Sequence, residues 1–299
     1  MKKAIITFIT GCMISAGVSA SPSYVFRYNM PGVNASEEGV ISEESRKTAW
    51  EEFLDDNQSK FYKPRDDSFN QIVMTGQITA FPKESYPLSE ISGSIAFFKS
   101  NVTNVDPFNS LQIVHGSLGF NDSNLSDIDG FRNIKQVDDY ITVSRNKLKN
   151  INGFSSLSQA GSYINFSENQ IENINGLRSL VRVEGFLRGY GNKIQNLDGL
   201  ARLEYVGDYI EFQDNNLNNI NGLRNLKYVG GRIDLLSNYA LKDISALSNI
   251  EYIGGTLKVD KTIKTRDGFK GIDGDSWLCQ PEQSGRFDSS HATQKDLCV

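Results

Sequence analysis

Gly130, Gly153, Gly176, Gly199 and Gly222 stand 23 residues apart without a slip. Around each runs the pattern Asn-x-Leu/Ile-x-x-Ile/Leu-Asn/Asp-Gly-Leu/Phe-x-x-Leu/Ile-x-x-Val-Gly, repeated about six times between Gly116 and Gly254. A fixed period in the twenties is the signature of a solenoid, in which each repeat forms one coil stacked on the last. One coil buries roughly seven apolar side chains, worth ~1.5–3 kcal/mol each at best. Ordering its backbone costs ~1–2 kcal/mol per residue, so a lone coil does not hold. Only neighbours make the core continuous, and the array is expected to fold and fail cooperatively.

The apolar residues fall into columns. Strand slots are Leu118/Phe120, Ile141/Val143, Ile164/Phe166, Leu187/Gly189, Ile210/Phe212, Ile233/Leu235 and Leu257/Val259. One residue separates each pair, so both side chains leave a strand on the same side. Leu125 to Leu217 and Ile128 to Ile220 continue each coil. Pairs such as Leu177/Leu180 are spaced for a 3₁₀ or helical turn, and Val137, Val183, Val206 and Val229 end the coil. One extra residue enters near Tyr239 and Ala240. Ser89 to Val114 reads as a degraded first repeat, preceded by β character over Gln71 to Ile78.

Two polar columns repeat with the core. Asn146, Asn169, Asn192, Asn215 and Asn238 share a slot that Ser100 and Ser123 fill in earlier coils. An inward amide there is expected to bond the backbone of its own coil and the next. Asp129, Asn152, Asn175, Asp198 and Asn221 each precede the repeat glycine, a pairing read as turn chemistry.

The stretches Leu-x-Phe-x-x-Asn-x-Leu and Gly-Leu-x-x-Leu-x-x-Val-Gly-Gly resemble leucine-rich repeats. The junction Val229 to Ile233 is similar to receptor L-domain repeats. The resemblance covers roughly residues 90–260. It implies an α/β, mostly β, right-handed solenoid with one long parallel sheet of about seven coils, used mostly for binding. The longer helical leg of many such repeats is missing here.

The flanks divide into three parts. Residues 1–20 have the form of a signal peptide: Lys2 and Lys3, an apolar run from Ala4 to Val18, then Val18-Ser19-Ala20 as a cleavage site. The run is too short and too rich in small residues to span a bilayer comfortably. A lipid anchor at Cys12 is disfavoured, because the run continues beyond it. Residues 21–89 form an N-terminal arm, a short amphipathic helix over Glu43 to Asp55 and a cap, with Trp50 and Phe53 suited to closing the end of the core. Residues 261–299 form a C-terminal cap, in which Cys279 and Cys298 are read as one disulfide. Localisation is therefore expected to be secreted: periplasm, cell surface or outside the cell.

Chemistry-bearing motifs are sparse. His115 and His291 are the only histidines, which excludes a multi-histidine metal site. His115 sits at a coil junction and is read as structural. No nucleophile elbow or phosphate-cradling glycine loop is present. Hence no cofactor, no metal and no catalytic role are expected, although acids from different coils of a solenoid can meet in space. The formal charge is −5, about −7 once Lys2 and Lys3 leave with the leader. That balance argues against a nucleic-acid partner.

The informative surface lies just before the first strand slot. Tyr140, Tyr163, Phe186 and Tyr209 recur there, flanked by Ser117 and Arg232. They point away from the core. Stacked ~4.8 Å apart, they predict an exposed ladder about 15 Å long. Arg188, Tyr190 and Glu211 lie beside it. Rigid aromatics ringed by polar groups suit a protein or glycan partner. Two other classes compete: a glycan-active enzyme, and a structural part of an envelope appendage.

Overall fold

A computed structural model describes residues 93–264 continuously, and before them residues 52, 72–75, 81–83, 85 and 89–91. The leader, the lipid-anchor cysteine, the arm, most of the expected helix, the paired cysteines and His291 lie outside the described residues.

Every strand pairs in parallel with the strand one period away. Ile141 faces Ile164, Ile164 faces Leu187, Leu187 faces Ile210 and Ile210 faces Ile233. The step from Ile233 to Leu257 is 24 residues, and the extra residue is taken up in an exposed turn at Tyr239–Ala240. Among the described residues this first sheet has nine strands, from Ile72–Thr75 to Leu257–Lys258. Ile72 pairs with Ile95, so among the described residues the sheet reaches one period before the degraded repeat that the sequence reveals.

The expectation of one long sheet is corrected by a second parallel sheet, of eight strands among the described residues, from Glu90–Ile91 to Tyr252–Ile253. The valines expected only to end each coil sit in it. Val183 is buried within the strand Arg182–Val183, and Val206 pairs with Val229. A β-branched residue in an extended pair suits such a strand. Between the two sheets each coil turns through a 3₁₀ segment, such as Asn175–Leu177 or Asp198–Leu200. The solenoid is thus β strands and 3₁₀ turns throughout.

The core is one continuous cluster, running from Ile91 to Ile263. Phe81 packs edge-on against Phe97 and Phe108 at its N-terminal end, with centroids 4.8 and 5.2 Å away. Gly189 replaces a large residue in its strand slot for a packing reason. A Cβ there would lie 2.4 Å from Phe166 and 2.8 Å from Phe212, whose rings lean over it from the neighbouring coils.

The repeat glycines are explained by close approach rather than by turn chemistry. A Cβ on Gly153 or Gly176 would sit 1.8 Å from the carbonyl oxygen of Ile128 or Ile151 in the preceding coil. The turn chemistry lies two residues before that Asn/Asp column, in residues the sequence reading passed over. Asn150, Asn173, Asn196 and Asn219 each accept the N–H of the residue two further on, an Asx turn that opens the 3₁₀ segment.

The inward asparagines form their column, but they reach the preceding coil rather than the next. Asn192 Oδ1 accepts the N–H of Ile171 at 3.0 Å. Its Nδ2 donates to Phe166 O at 3.1 Å and to Gly189 O and Tyr190 O in its own coil. The residue before each asparagine explains the direction. Arg145, Glu168, Gly191, Asp214 and Ser237 all have positive φ, which folds the chain back under the strand just completed. The amide then satisfies the carbonyls that this corner turns inward.

Candidate binding surface

On the first sheet, alternation sends Ile141 and Val143 into the core and Thr142 and Ser144 to the outer face. The residue just before the strand also faces outward. Tyr140, Tyr163, Phe186 and Tyr209 stand there in file, with successive centroids 4.9, 4.3 and 4.7 Å apart and interplanar angles of 3–7°. Register alone imposes this stack, because each coil repeats the same backbone one strand spacing further on.

The rings are half-buried rather than exposed, since each covers the faces of its neighbours. Their edges and hydroxyls face out. Burial raises the Tyr163 and Tyr209 phenols above the usual tyrosine value, so both stay protonated near neutrality.

The sequence-nominated charges converge at the Tyr209 end. Glu211 is buried at 3% exposure. Arg188 Nε donates to its Oε2 at 2.5 Å, and Arg232 Nη2 donates to its other oxygen. Arg188 Nη2 also donates to the Tyr209 hydroxyl at 2.9 Å. Both guanidiniums lie over the Tyr209 ring, at 5.2 and 4.6 Å from its centroid, and Arg188 also lies 5.0 Å from Phe186. Beyond them Lys258 pairs with Asp234 at 3.4 Å.

Tyr190 stands one column over. Its hydroxyl donates to Glu168, which raises its pKa, and Arg188 lies 5.9 Å from its ring. Arg145 bridges Asp122 and Glu168 along the corner column, and its fork holds the Asp122 carboxyl below its usual range. All eight nominated residues therefore share one face.

The Tyr140 end carries hydroxyls, an amide and one carboxylate, Asp139, which accepts from the Ser117 hydroxyl at 2.6 Å. Asn121 Oδ1 accepts from Thr142 Oγ1, Ser144 N and Ser144 Oγ at 2.6–3.0 Å. Ser167 Oγ is buried there without a partner.

Sequence reasoning missed a second ring stack, on the outer face of the second sheet. Tyr205, Tyr228 and Tyr252 stack at 4.8 Å, and the Arg182 guanidinium closes the Tyr205 side 3.5 Å from its ring centroid. The signal was an aromatic residue immediately before each late valine or isoleucine, unreadable while that segment was taken as a coil end.

His115, expected to be structural, bridges two acids from the neighbouring coils: its ring holds Glu90 and Asp138 at 2.6 Å on each side, tying three coils together. Those hydrogen bonds, Glu90 first, raise its pKa. Among the described residues no group of three or more His, Cys, Asp or Glu is placed to hold a metal ion. No described helix is long and apolar enough to cross a membrane.

Two parallel sheets of repeated short strands, joined by 3₁₀ turns, fit a leucine-rich-repeat solenoid. No family model matches the chain, and no curated protein matches it. Among solved structures it is similar to an internalin C2 from Listeria monocytogenes, at 20% identity over 62% of this chain and 77% of that one, with a TM-score of 0.45. It is also similar to a second Listeria monocytogenes internalin, at 14% identity over 72% of this chain and 88% of that one, with a TM-score of 0.30. The solenoid assignment stands on this chain's own strand register.

Proposed function

We propose that this chain is a secreted or cell-surface binding protein that holds a protein partner on the outer face of its first sheet. The supporting observation is the file of four rings whose edges and hydroxyls border charged and amide side chains on a rigid backbone. Rigid amphipathic rings supply contact area at low entropic cost. The same geometry weighs against glycan stacking. A sugar packs on an open ring face, and here the interior faces are taken by neighbouring rings and the Tyr209 face by Arg232.

The wider reading follows the sequence: a signal peptide over residues 1–20, a right-handed solenoid of about seven coils between terminal caps, a disulfide between Cys279 and Cys298, and no catalytic role. A binding array of proteins and glycans probed with the full chain, repeated with Tyr163→Ala and Tyr209→Ala, tests the reading. Ligand capture should be lost in both variants while circular dichroism stays unchanged. Capture that survives in both would move the site elsewhere, and glycan-only capture would overturn the choice of partner class.

A further inference from the structure

The chain is acidic overall, at −5, yet the Tyr209 end of the ladder presents cations. Two guanidiniums share the single carboxylate of Glu211, so the ion-paired cluster itself carries one net positive charge. The acid lies beneath and the bases above: the Glu211 side chain is 4% exposed, against 28% for Arg188 and 40% for Arg232. The neighbouring pair repeats this layering, with Asp234 at 9% beneath Lys258 at 33%. Asp208 is exposed and close enough to Tyr209 to help raise its phenol, but among the described residues no ion pair joins it to either arginine. Arg232 Nε is buried and has no hydrogen-bond partner. Glu211 therefore acts as a floor that positions two planar forks beside Tyr209, and planar forks match carboxylates.

Resting on the sheet-face reading above, we propose that the Arg188–Glu211–Arg232 cluster anchors a carboxylate of the partner, which is a polypeptide presenting an acidic side chain next to the ring ladder. A peptide suits the site better than a sulfated sugar, because at this end the ring faces are covered by neighbouring rings and by the two guanidiniums.

The test uses the full chain and three probes: a labelled glutamate-rich peptide, its glutamine counterpart and a heparin oligosaccharide. Removing both arginines alone would orphan buried Glu211, so the main variant changes all three: Arg188→Gln, Glu211→Gln and Arg232→Gln. A lysine control, Arg188→Lys with Arg232→Lys, keeps the charge and loses the fork. The glutamate peptide should bind on the order of tenfold more tightly than the glutamine peptide. Its binding should weaken as salt rises from about 0.02 to about 0.3 M. The triple variant should lose that preference, and the lysine control should keep only part of it. Equal binding of the two peptides, or an unchanged preference in the triple variant, overturns the proposal. Tighter binding of heparin that is lost in the triple variant overturns it in favour of a sulfated glycan. If Tyr163→Ala abolishes partner capture and the triple variant does not, the sheet-face reading survives and the acidic anchor falls.

Discussion

Four rings on the first sheet and three on the second stack at nearly the same spacing, 4.3–4.9 Å against 4.8 Å, but their margins differ. Tyr209 borders a buried carboxylate under two arginines. Tyr228 and Tyr252 border glycines. Their Cε1 atoms lie 3.5 and 3.2 Å from where a Cβ on Gly230 or Gly254 would stand, so these rings lie over bare backbone. A stack of rings is therefore what register produces from any periodic aromatic, and is not in itself a site. The surroundings make the distinction. The first stack is set among unevenly satisfied polar groups, whereas the second shields a seam where glycines let coils approach. Tyr252, at 42% exposure, leaves the second stack open at its C-terminal end among the described residues.

The sharpest way to break both stacks at once is to disturb the register they share. Gly176→Ala places a Cβ 1.8 Å from Ile151 O. It should cost about 3–5 kcal/mol or prevent folding, seen as a lowered urea midpoint and loss of near-ultraviolet dichroism. An unchanged midpoint would mean that the coils do not approach as described.

Asn192→Ala removes the buried amide beneath the first sheet and should cost about 1–3 kcal/mol through unsatisfied backbone groups. Both stacks should melt together with it, because the array is cooperative. Two separated transitions would show that they belong to independent units.

The comparison itself is tested by a matched pair. Tyr163→Ala and Tyr228→Ala each remove two ring contacts and should lower stability by similar amounts, about 1–3 kcal/mol. Only Tyr163→Ala should weaken partner binding, by about 2 kcal/mol or more. Equal binding losses would erase the distinction between the faces.

The smallest effect is that of His115. Its raised pKa means that its stabilisation is fully present below the ordinary value near 6.5 and fades as pH rises through the folded value. At low pH the limit is protonation of Asp138, whose carboxyl is held below its usual range, first by the Gln136 amide. With its side chain 38% exposed, the contribution is screened to a few tenths of a kcal/mol. Melting temperatures of the chain and of His115→Ala should differ more at pH 5.5 than at pH 8.5. A larger gap at the higher pH would contradict the bridge.

The period, the core columns, the inward asparagines and the file of Tyr140, Tyr163, Phe186 and Tyr209 were legible in the sequence. Each is a repeated choice of side chain at a repeated backbone position, and stacking coils converts equal spacing into contact. The second sheet was hidden because each of its two-residue strands puts only one inward apolar residue in a coil, such as Val183 or Val229, whereas the first sheet's slots carry a pair spaced by one residue, such as Ile141 and Val143. The Arg188–Glu211–Arg232 cluster was hidden for another reason. Its members were nominated singly, at separations of 23 and 21 residues and so in two different columns, and only long, flexible side chains bring them to one carboxylate. Periodicity thus determined the frame and the rings. Tertiary structure decided which groups are buried and which glycines are compressed, and it left Glu211 beneath its arginines, because burial and rotamer depend on neighbours that no single repeat contains.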